Sequence, residues 1–175
     1  MIGEQIFIPR PGGKKPTRKL FVKPAYGVHL KPGGGLWTST HATSADEGWE
    51  GWCRTEMPHW LSETGYLLTP KPDANVITVD RDTVAGFVAR YGRPRYPDLR
   101  GPLAHDLDID WEKIVTDGYD GVRVTDPFHP DIRYGTVLAF YAWDCESTWW
   151  ARWVFEETAG RPVPIAAAPI NNCYT

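Results

Sequence analysis

The sequence predicts an α+β domain with a mixed, largely antiparallel sheet and two or three helices. Short apolar runs of strand composition outnumber the segments that have helical spacing. The 17 Gly and 16 Pro residues of the 175-residue chain fall between these runs and mark turns and loops. With 42% hydrophobic and 23% charged residues, the composition is that of an ordinary globular domain. The chain is therefore expected to form one domain with its own core.

The predicted strands are short, and glycine or proline separates most of them. The run at 20–30 contains Pro24, so an edge or bent strand that ends at His29 is expected. Residues 31–35 predict a turn, residues 92–102 a proline-rich loop, and residues 146–157 fit either a strand or a helix. The run at 134–143 is the most strand-like of the chain, and residues 117–124 begin as a turn and end as a strand. The other predicted strands cover residues 2–8, 20–30, 36–40, 65–70 and 75–80.

Three segments have helical character. Ser44 is a suitable N-cap for a helix that ends near Met57, and the acidic residues after it favour a first turn. Residues 81–91 carry apolar side chains at helical spacing. Asp110 is expected to cap one or two turns over 110–116. Two or three helices therefore accompany the sheet.

Charge divides the chain into a basic N-terminal strand and arm, residues 1–24, and a single domain, residues 25–175. Six basic residues against one acidic residue give the arm a charge of +5, whereas the remainder carries −8. A basic arm of this kind can contact nucleic acid or an acidic partner, or fold back on its own acidic body. The acidic body argues against a dedicated DNA-binding face.

Cysteine spacing and hydropathy predict a cytoplasmic protein. The three cysteines are widely spaced and include no CxxC pair, so neither a disulfide framework nor a zinc site is indicated. The histidines lack metal-ligand spacing, and no metal is expected. No apolar run is long enough for a membrane helix, and no signal-peptide core is present, so no membrane partner is expected.

Residues 140–153 combine acidic side chains with four of the nine tryptophans. Asp144 and Glu146 are expected on one face of a strand, because alternate residues of a strand share a face. Carboxylates beside large apolar rings are costly to bury unless they are paired or hydrogen-bonded. The segment is therefore either a functional site or a strand with one solvent-facing polar side.

Three motifs together resemble the ADP-ribosyltransferase fold, especially its small bacterial and phage-encoded members. Residues 26–29 (YGVH) resemble its first motif, and residues 36–40 (LWTST) resemble the strand of its second motif. Asp144-Cys-Glu146 is similar to the final Glu/Gln-x-Glu motif, with Asp144 in place of the usual Glu or Gln. Residues 110–122 (DW-x₆-GYDGV) resemble the step that precedes that motif. His29 and Ser39 lie closer together than in many members of the family.

The resemblance implies a split sheet with an NAD cleft, and NAD as a substrate without a metal. It implies a mono-ADP-ribosyltransferase or NAD glycohydrolase that breaks the nicotinamide–ribose bond, toxin-like and acting on a host macromolecule, in particular a host protein. Nucleic acid bound through the basic arm is the other acceptor considered. The catalytic residues implied are Glu146 and Asp144. The NAD-binding residues implied are His29, Gly35, Trp37, Thr38 and Ser39.

A second hypothesis assigns no catalysis to the chain. It is then a phage-type binding or inhibitor protein on the same scaffold, and it grips a host protein through its aromatic surface or basic arm. Tryptophan and arginine are favoured interface anchors, which fits this hypothesis as well. Loss of nicotinamide release from NAD on substituting Glu146 distinguishes the two.

Overall fold

The computed structural model of the chain describes residues 2–20, 31–41, 48–95, 98, 107–133, 140 and 143–165. Its helices are α1 (Gly48–Glu56), α2 (Val84–Tyr91), α3 (Trp111–Thr116) and α4 (Pro130–Arg133). A 3₁₀ turn, Pro58–Trp60, follows α1. Its strands are β1 (Gln5–Phe7), β2 (Leu36–Thr40), β3 (Thr64–Leu68), β4 (Val76–Val79), β5 (Gly92–Pro94), β6 (Leu107–Ile109), β7 (Gly121–Val124), β8 (Ser147–Trp150) and β9 (Arg161–Pro164).

Seven strands form one sheet in the order β4-β7-β8-β2-β1-β3-β9, and β5 and β6 form a separate pair. Only the β4–β7 pair of the large sheet is parallel, and the other neighbours are antiparallel. The predicted α+β class with a largely antiparallel sheet is therefore confirmed. The described residues hold four helices, because the single-turn α4 adds to the three predicted ones. The NAD cleft stays a prediction.

Alternation along the strands builds a core on each face of the sheet. On one face, Leu36 and Trp150 pack with Leu68 and Phe155. On the other face, Trp149 packs in a cluster with strand valines and the apolar sides of α2 and α3. Both tryptophans are at most 1% exposed. The central strands β2 and β8 thus lie between two apolar layers.

Most predicted elements appear close to where the sequence places them. Asp110 caps α3 by accepting a hydrogen bond from the backbone N–H of Lys113 at 2.9 Å. The predicted loop at 92–102 begins with β5, whose pairing with β6 is a long-range contact that local composition does not reveal. Phe140 and Trp143 lie outside any strand, so the strand predicted over 134–143 is wrong at these positions. The predicted strand residues 21–30 and the N-cap Ser44 lie outside the described residues.

The N-terminal segment is part of the sheet. Strand β1 lies between β2 and β3, and Gln5 is fully buried there. Two basic residues that follow β1 lie against the body of the domain: Arg10 stacks over the ring of Trp60 at 4.5 Å, and Lys14 lines a cavity together with Trp37 and Trp49. Within the part of the chain that the structure describes, no helix has the length and apolarity needed to cross a membrane.

Candidate functional site

Glu146 precedes β8 and lies opposite Thr40, the last residue of β2. Its Oε2 accepts the backbone N–H of Thr40 at 2.8 Å. Its Oε1 accepts the Thr40 hydroxyl at 2.9 Å and Arg123 Nε at 2.8 Å. The side chains of Glu146 and Arg123 are only 16% and 24% exposed. Because hydrogen bonds to an ionised group are short and strong, they hold the carboxylate in one orientation.

A chain of hydrogen bonds connects this carboxylate to the buried core. Trp150 Nε1 donates to Thr38 Oγ1 at 2.8 Å, and Thr38 Oγ1 donates to Gln5 Oε1 at 2.7 Å. Gln5 Nε2 donates to Thr40 Oγ1 at 3.4 Å, and Thr40 donates to Glu146. Thr38 is 4% exposed, so its hydroxyl is used in this hydrogen-bond network and is not directed to solvent. The position of Glu146 is therefore coupled to the packing of the sheet.

Ser39 joins the start of α1 to the same corner. Its hydroxyl donates to the backbone carbonyl of Glu146 at 2.9 Å and accepts the Trp49 N–H at 2.8 Å. Gly48 begins the helix with φ +69°, and a Cβ there would lie 2.7 Å from the Ser39 Cβ. Glycine suits this position because it tolerates positive φ and lacks that atom. The helix start, β2 and the residue before β8 thus form one rigid corner.

A cavity of about 510 Å³ lies beside the strand face that carries Trp37 and Ser39. We call it the basic cavity, because three of its lining residues are cationic and one is acidic. Trp37 and Trp49 contribute aromatic surface to its wall. The charged residues that line it are Arg10, Lys14, Lys31 and Asp144. A cavity of this composition suits an anion that carries a flat ring.

Lys31 is the most perturbed cation of the basic cavity. Its Nζ lies 5.3 Å from the centroid of the Trp37 ring. Burial lowers the pKa of Lys31, and the charges of Asp144 and Cys145 partly oppose this shift. Burial disfavours the charged form of Lys31. An anionic ligand that enters the cavity would therefore stabilise that charged form.

A second concavity of about 490 Å³ lies between α1 and the loop after β7, and we call it the acidic groove. Phe128, which is 57% exposed, contributes apolar surface to it. Its charged lining residues are Glu56, Asp126, Asp144, Glu146 and Arg123. Among the described residues, no group of three or more His, Cys, Asp or Glu side chains is placed to hold a metal ion.

Of the two predicted catalytic carboxylates, the structure places Asp144 but not Glu146 in the cavity that most of the predicted NAD-binding residues line. Trp37, Thr38 and Ser39 line the basic cavity, whereas Glu146 lines the acidic groove. Asp144 lines both, so it lies where the two meet. Asp144 and Glu146 precede β8 and are not strand residues, which corrects the expectation of a shared strand face. The chain bends at Glu146 and at the cysteine before it.

Two predicted NAD-binding residues lie elsewhere. Gly35 adopts φ +72°, and a Cβ there would overlap the indole of Trp149, whose Nε1 donates to Gly34 O at 3.1 Å. Gly35 thus permits close packing of the 31–35 turn on the sheet, and it lines neither cavity. His29 lies outside the described residues.

Cys145 lies between the two acids but is poorly suited to act as a nucleophile. Burial raises the pKa of its thiol to about 11. The hydrogen bond with Ser147 and the charge of Lys31 oppose this shift, and the charges of Glu146 and Asp144 add to it. Because only the thiolate attacks efficiently, Cys145 remains an inert thiol near neutral pH. The neighbouring acids contribute to the inertness of the thiol, but burial is the larger cause.

Arg123, the ion-pair partner of Glu146, is a site residue that the sequence motifs do not include. It is the only polar side chain in β7, between the buried Val122 and Val124. A cation inside an apolar strand is a detectable signal, because a charge at that position requires a partner. Arg10, Lys14 and Lys31 were also missed as lining residues, and their sequence positions carry no comparable signal.

Comparison with known proteins adds no relative: no protein-family model, no curated protein and no solved structure matches the chain. The likeness to ADP-ribosyltransferases therefore rests on the motifs of the sequence.

Proposed function

We propose that the chain is an NAD-dependent mono-ADP-ribosyltransferase or NAD glycohydrolase in which Glu146 is the catalytic carboxylate. The observation that carries this proposal is the fixed, mostly buried carboxylate of Glu146, which lines the acidic groove two positions from Asp144, where that groove adjoins the basic cavity. A carboxylate held by preorganised donors needs no reorganisation when positive charge develops next to it. Thr40 and Arg123 supply those donors.

The reaction breaks the bond between ribose C1′ and the nicotinamide nitrogen. Nicotinamide leaves with the bonding electron pair, and the ribose ring passes through an oxocarbenium-like state, as in other glycosyl transfers. A nucleophile on the acceptor, or water in the glycohydrolase reaction, then bonds to C1′ and releases its proton. The negative charge of Glu146 stabilises the transient cation. The acceptor proposed is a host macromolecule.

Glu146 retains an acceptor site for the substrate. An ionised carboxylate offers about four lone-pair positions, two on each oxygen. Among the described residues, Oε1 receives two hydrogen bonds and Oε2 receives one, from the backbone of Thr40. A ribose hydroxyl on the free side of Oε2 would bring the scissile bond next to the carboxylate.

The basic cavity supplies the chemistry that a dinucleotide needs. Its volume lies within the range of roughly 300–1,000 Å³ that is usual for ligand pockets. Arg10, Lys14 and Lys31 would face the pyrophosphate, and the rings of Trp37 and Trp49 offer apolar surface to a base. We place the nicotinamide ribose at Asp144, where the cavity meets the acidic groove that contains Glu146.

The test is release of nicotinamide from NAD by the purified full chain, followed by chromatography. Glu146→Gln should lower kcat roughly 10²- to 10³-fold, the usual cost of removing an electrostatic stabiliser. Its Tm should fall by only about 2–4 °C, which corresponds to roughly 1 kcal/mol for a domain of this size. Glu157→Gln, in an exposed turn that lines neither cavity, is the matched control and should retain full activity.

Two results would refute the proposal. One is a Glu146→Gln variant that releases nicotinamide as fast as the Glu157→Gln control. The other is a folded wild-type chain that releases no nicotinamide and whose Tm does not rise in millimolar NAD or ADP-ribose. The second result would favour the hypothesis of a non-catalytic binding protein.

A further inference from the structure

Three tryptophans of α1 and the following 3₁₀ turn form a continuous aromatic cluster. The rings of Trp49 and Trp52 stack with centroids 5.0 Å apart and planes 21° apart. Trp60 lies 6.0 Å from Trp49 and 6.1 Å from Trp52. All three side chains are partly exposed, unlike the tryptophans of β8. The cluster therefore presents ring surface to solvent.

Basic side chains adjoin this cluster. The guanidinium of Arg10 lies 4.5 Å over the ring of Trp60, and Arg10, Lys14 and Trp49 line the same cavity. Arg10 and Lys14 are exposed, as are Lys15, Arg18 and Lys19 farther along the segment. We call Trp49, Trp52, Trp60, Arg10 and Lys14 together the aromatic–basic surface.

We propose that the aromatic–basic surface binds single-stranded nucleic acid. Sequence-tolerant binding of single strands combines aromatic rings that stack on bases with cations that contact the phosphate backbone. Both are present here within one cluster. An acidic protein segment would use the cations, but a carboxylate side chain has no ring face to stack on the tryptophans.

The charge distribution of the chain favours this surface for a polyanion. Residues 1–24 carry +5, whereas the residues after position 24 carry −8 as a whole, so phosphates are attracted to the basic segment that adjoins the three tryptophans. Bases in a duplex are already stacked on each other and leave no face for a tryptophan. Single strands should therefore bind better than duplex. This inference does not depend on the NAD reaction, because binding is measured without NAD.

The first measurement titrates the full chain with a 15-nucleotide oligo-dT and, separately, an oligo-U of equal length. Stacking should quench part of the tryptophan emission, and fluorescein anisotropy should give a Kd in the micromolar range at low salt. A duplex of equal length and poly-glutamate are the comparison ligands. Poly-glutamate binding as tight as oligo-dT, or an absence of quenching on binding, would overturn the proposal.

Charge variants test the phosphate contacts. Arg10→Gln combined with Lys14→Gln removes two cations, and Lys71→Gln combined with Arg81→Gln is the control with the same charge change at exposed positions elsewhere. Each phosphate contact on a single strand contributes about 0.7 to the slope of log K against log salt, so the first double variant should reduce the slope by about 1.4. Equal slopes for both double variants would contradict the assigned surface.

Substitutions of Trp60 test base stacking separately from the proposed NAD site, because Trp60 lines neither cavity. Trp60→Leu should weaken oligo-dT binding roughly tenfold, since one stacked base is worth about that factor or more. Trp60→Phe keeps an aromatic ring and should retain most of the affinity of the wild type. If Trp60→Leu does not fold, Trp60→Phe still allows stacking to be tested. If both folded variants bind like wild type, the proposal fails. Nicotinamide release, measured in parallel, should remain unchanged.

Discussion

The two ends of the β8 region, Trp150 at the end of the strand and Glu146 just before its start, differ sharply although only three residues separate them. At one end Trp150 is fully buried, packs on Phe155 at 4.7 Å and is part of an apolar core. At the other end Glu146 pairs with Arg123 in the acidic groove. Hydrogen bonds through Thr38 and Gln5 connect the two ends. The apolar end therefore provides stability, and its rigidity holds the polar end in place.

The largest expected effect is at the apolar end. Trp150→Ala should lower the free energy of unfolding by about 3–5 kcal/mol, because a large buried ring leaves a cavity. Urea denaturation measures the loss. Trp52→Ala, which removes the same side chain at a partly exposed position, is the control and should lose less than half as much. Equal losses would remove the distinction between the buried and exposed tryptophans.

The next effect concerns the ion pair at the polar end. Arg123→Met should cost about 2 kcal/mol, because Glu146 loses a charge-assisted hydrogen bond while it stays mostly buried. The double variant with Glu146→Gln should cost less than the sum of the two single variants, since they share one interaction. Additive losses measured by urea denaturation would show that the pair is not coupled. The control Arg81→Met removes an exposed cation and should cost less than about 0.5 kcal/mol.

A smaller effect is expected within the connecting chain of hydrogen bonds. Thr40→Val keeps the shape of the side chain but removes the donor to Glu146 and the acceptor for Gln5. The loss should be about 1 kcal/mol by urea denaturation. Thr55→Val, at an exposed position of α1, is the matched control. A Thr40 variant no less stable than this control would indicate that the two ends are independent.

The smallest effect on stability is at Lys31, and its sign depends on pH. Burial lowers its pKa in the folded state below its ordinary value of 10.5. Between the folded-state pKa and 10.5 the unfolded chain binds more protons than the folded chain, so the free energy of unfolding rises with pH in that window. Below the window the full cost of burying the charged lysine is present. Lys31→Met should therefore stabilise the protein at pH 7, by no more than about 0.5 kcal/mol. The gain should disappear near pH 10.5.

The same Lys31→Met variant should bind ADP-ribose more weakly, because the basic cavity loses a cation. Loss of a hydrogen bond to a charged ligand is worth about 1.5–3 kcal/mol, or roughly a tenfold or greater rise in Kd. Calorimetric titration measures the change at pH 7. A variant that is stabilised yet binds ADP-ribose as tightly as wild type would remove Lys31 from the proposed phosphate contacts. The Lys71→Gln variant controls for net charge.

The sequence by itself determined the local elements of this protein. The N-cap at Asp110, the apolar spacing within 84–91 and the turn before β2 depend on neighbouring residues, so local patterns predict them. The strand predicted over 134–143 is wrong at Phe140 and Trp143, because apolar composition alone cannot distinguish a strand from a buried irregular segment.

Only the tertiary structure decided the composition of the site. Glu146 meets Thr40 across 106 positions and Arg123 across 23, and such contacts depend on strand register, which local patterns do not encode. Trp37 lines the basic cavity and Glu146 lines the acidic groove, although both belong to motifs expected to share one cleft. The residue types in the sequence thus identify candidate chemistry, but pairing of distant strands decides which of those residues come together.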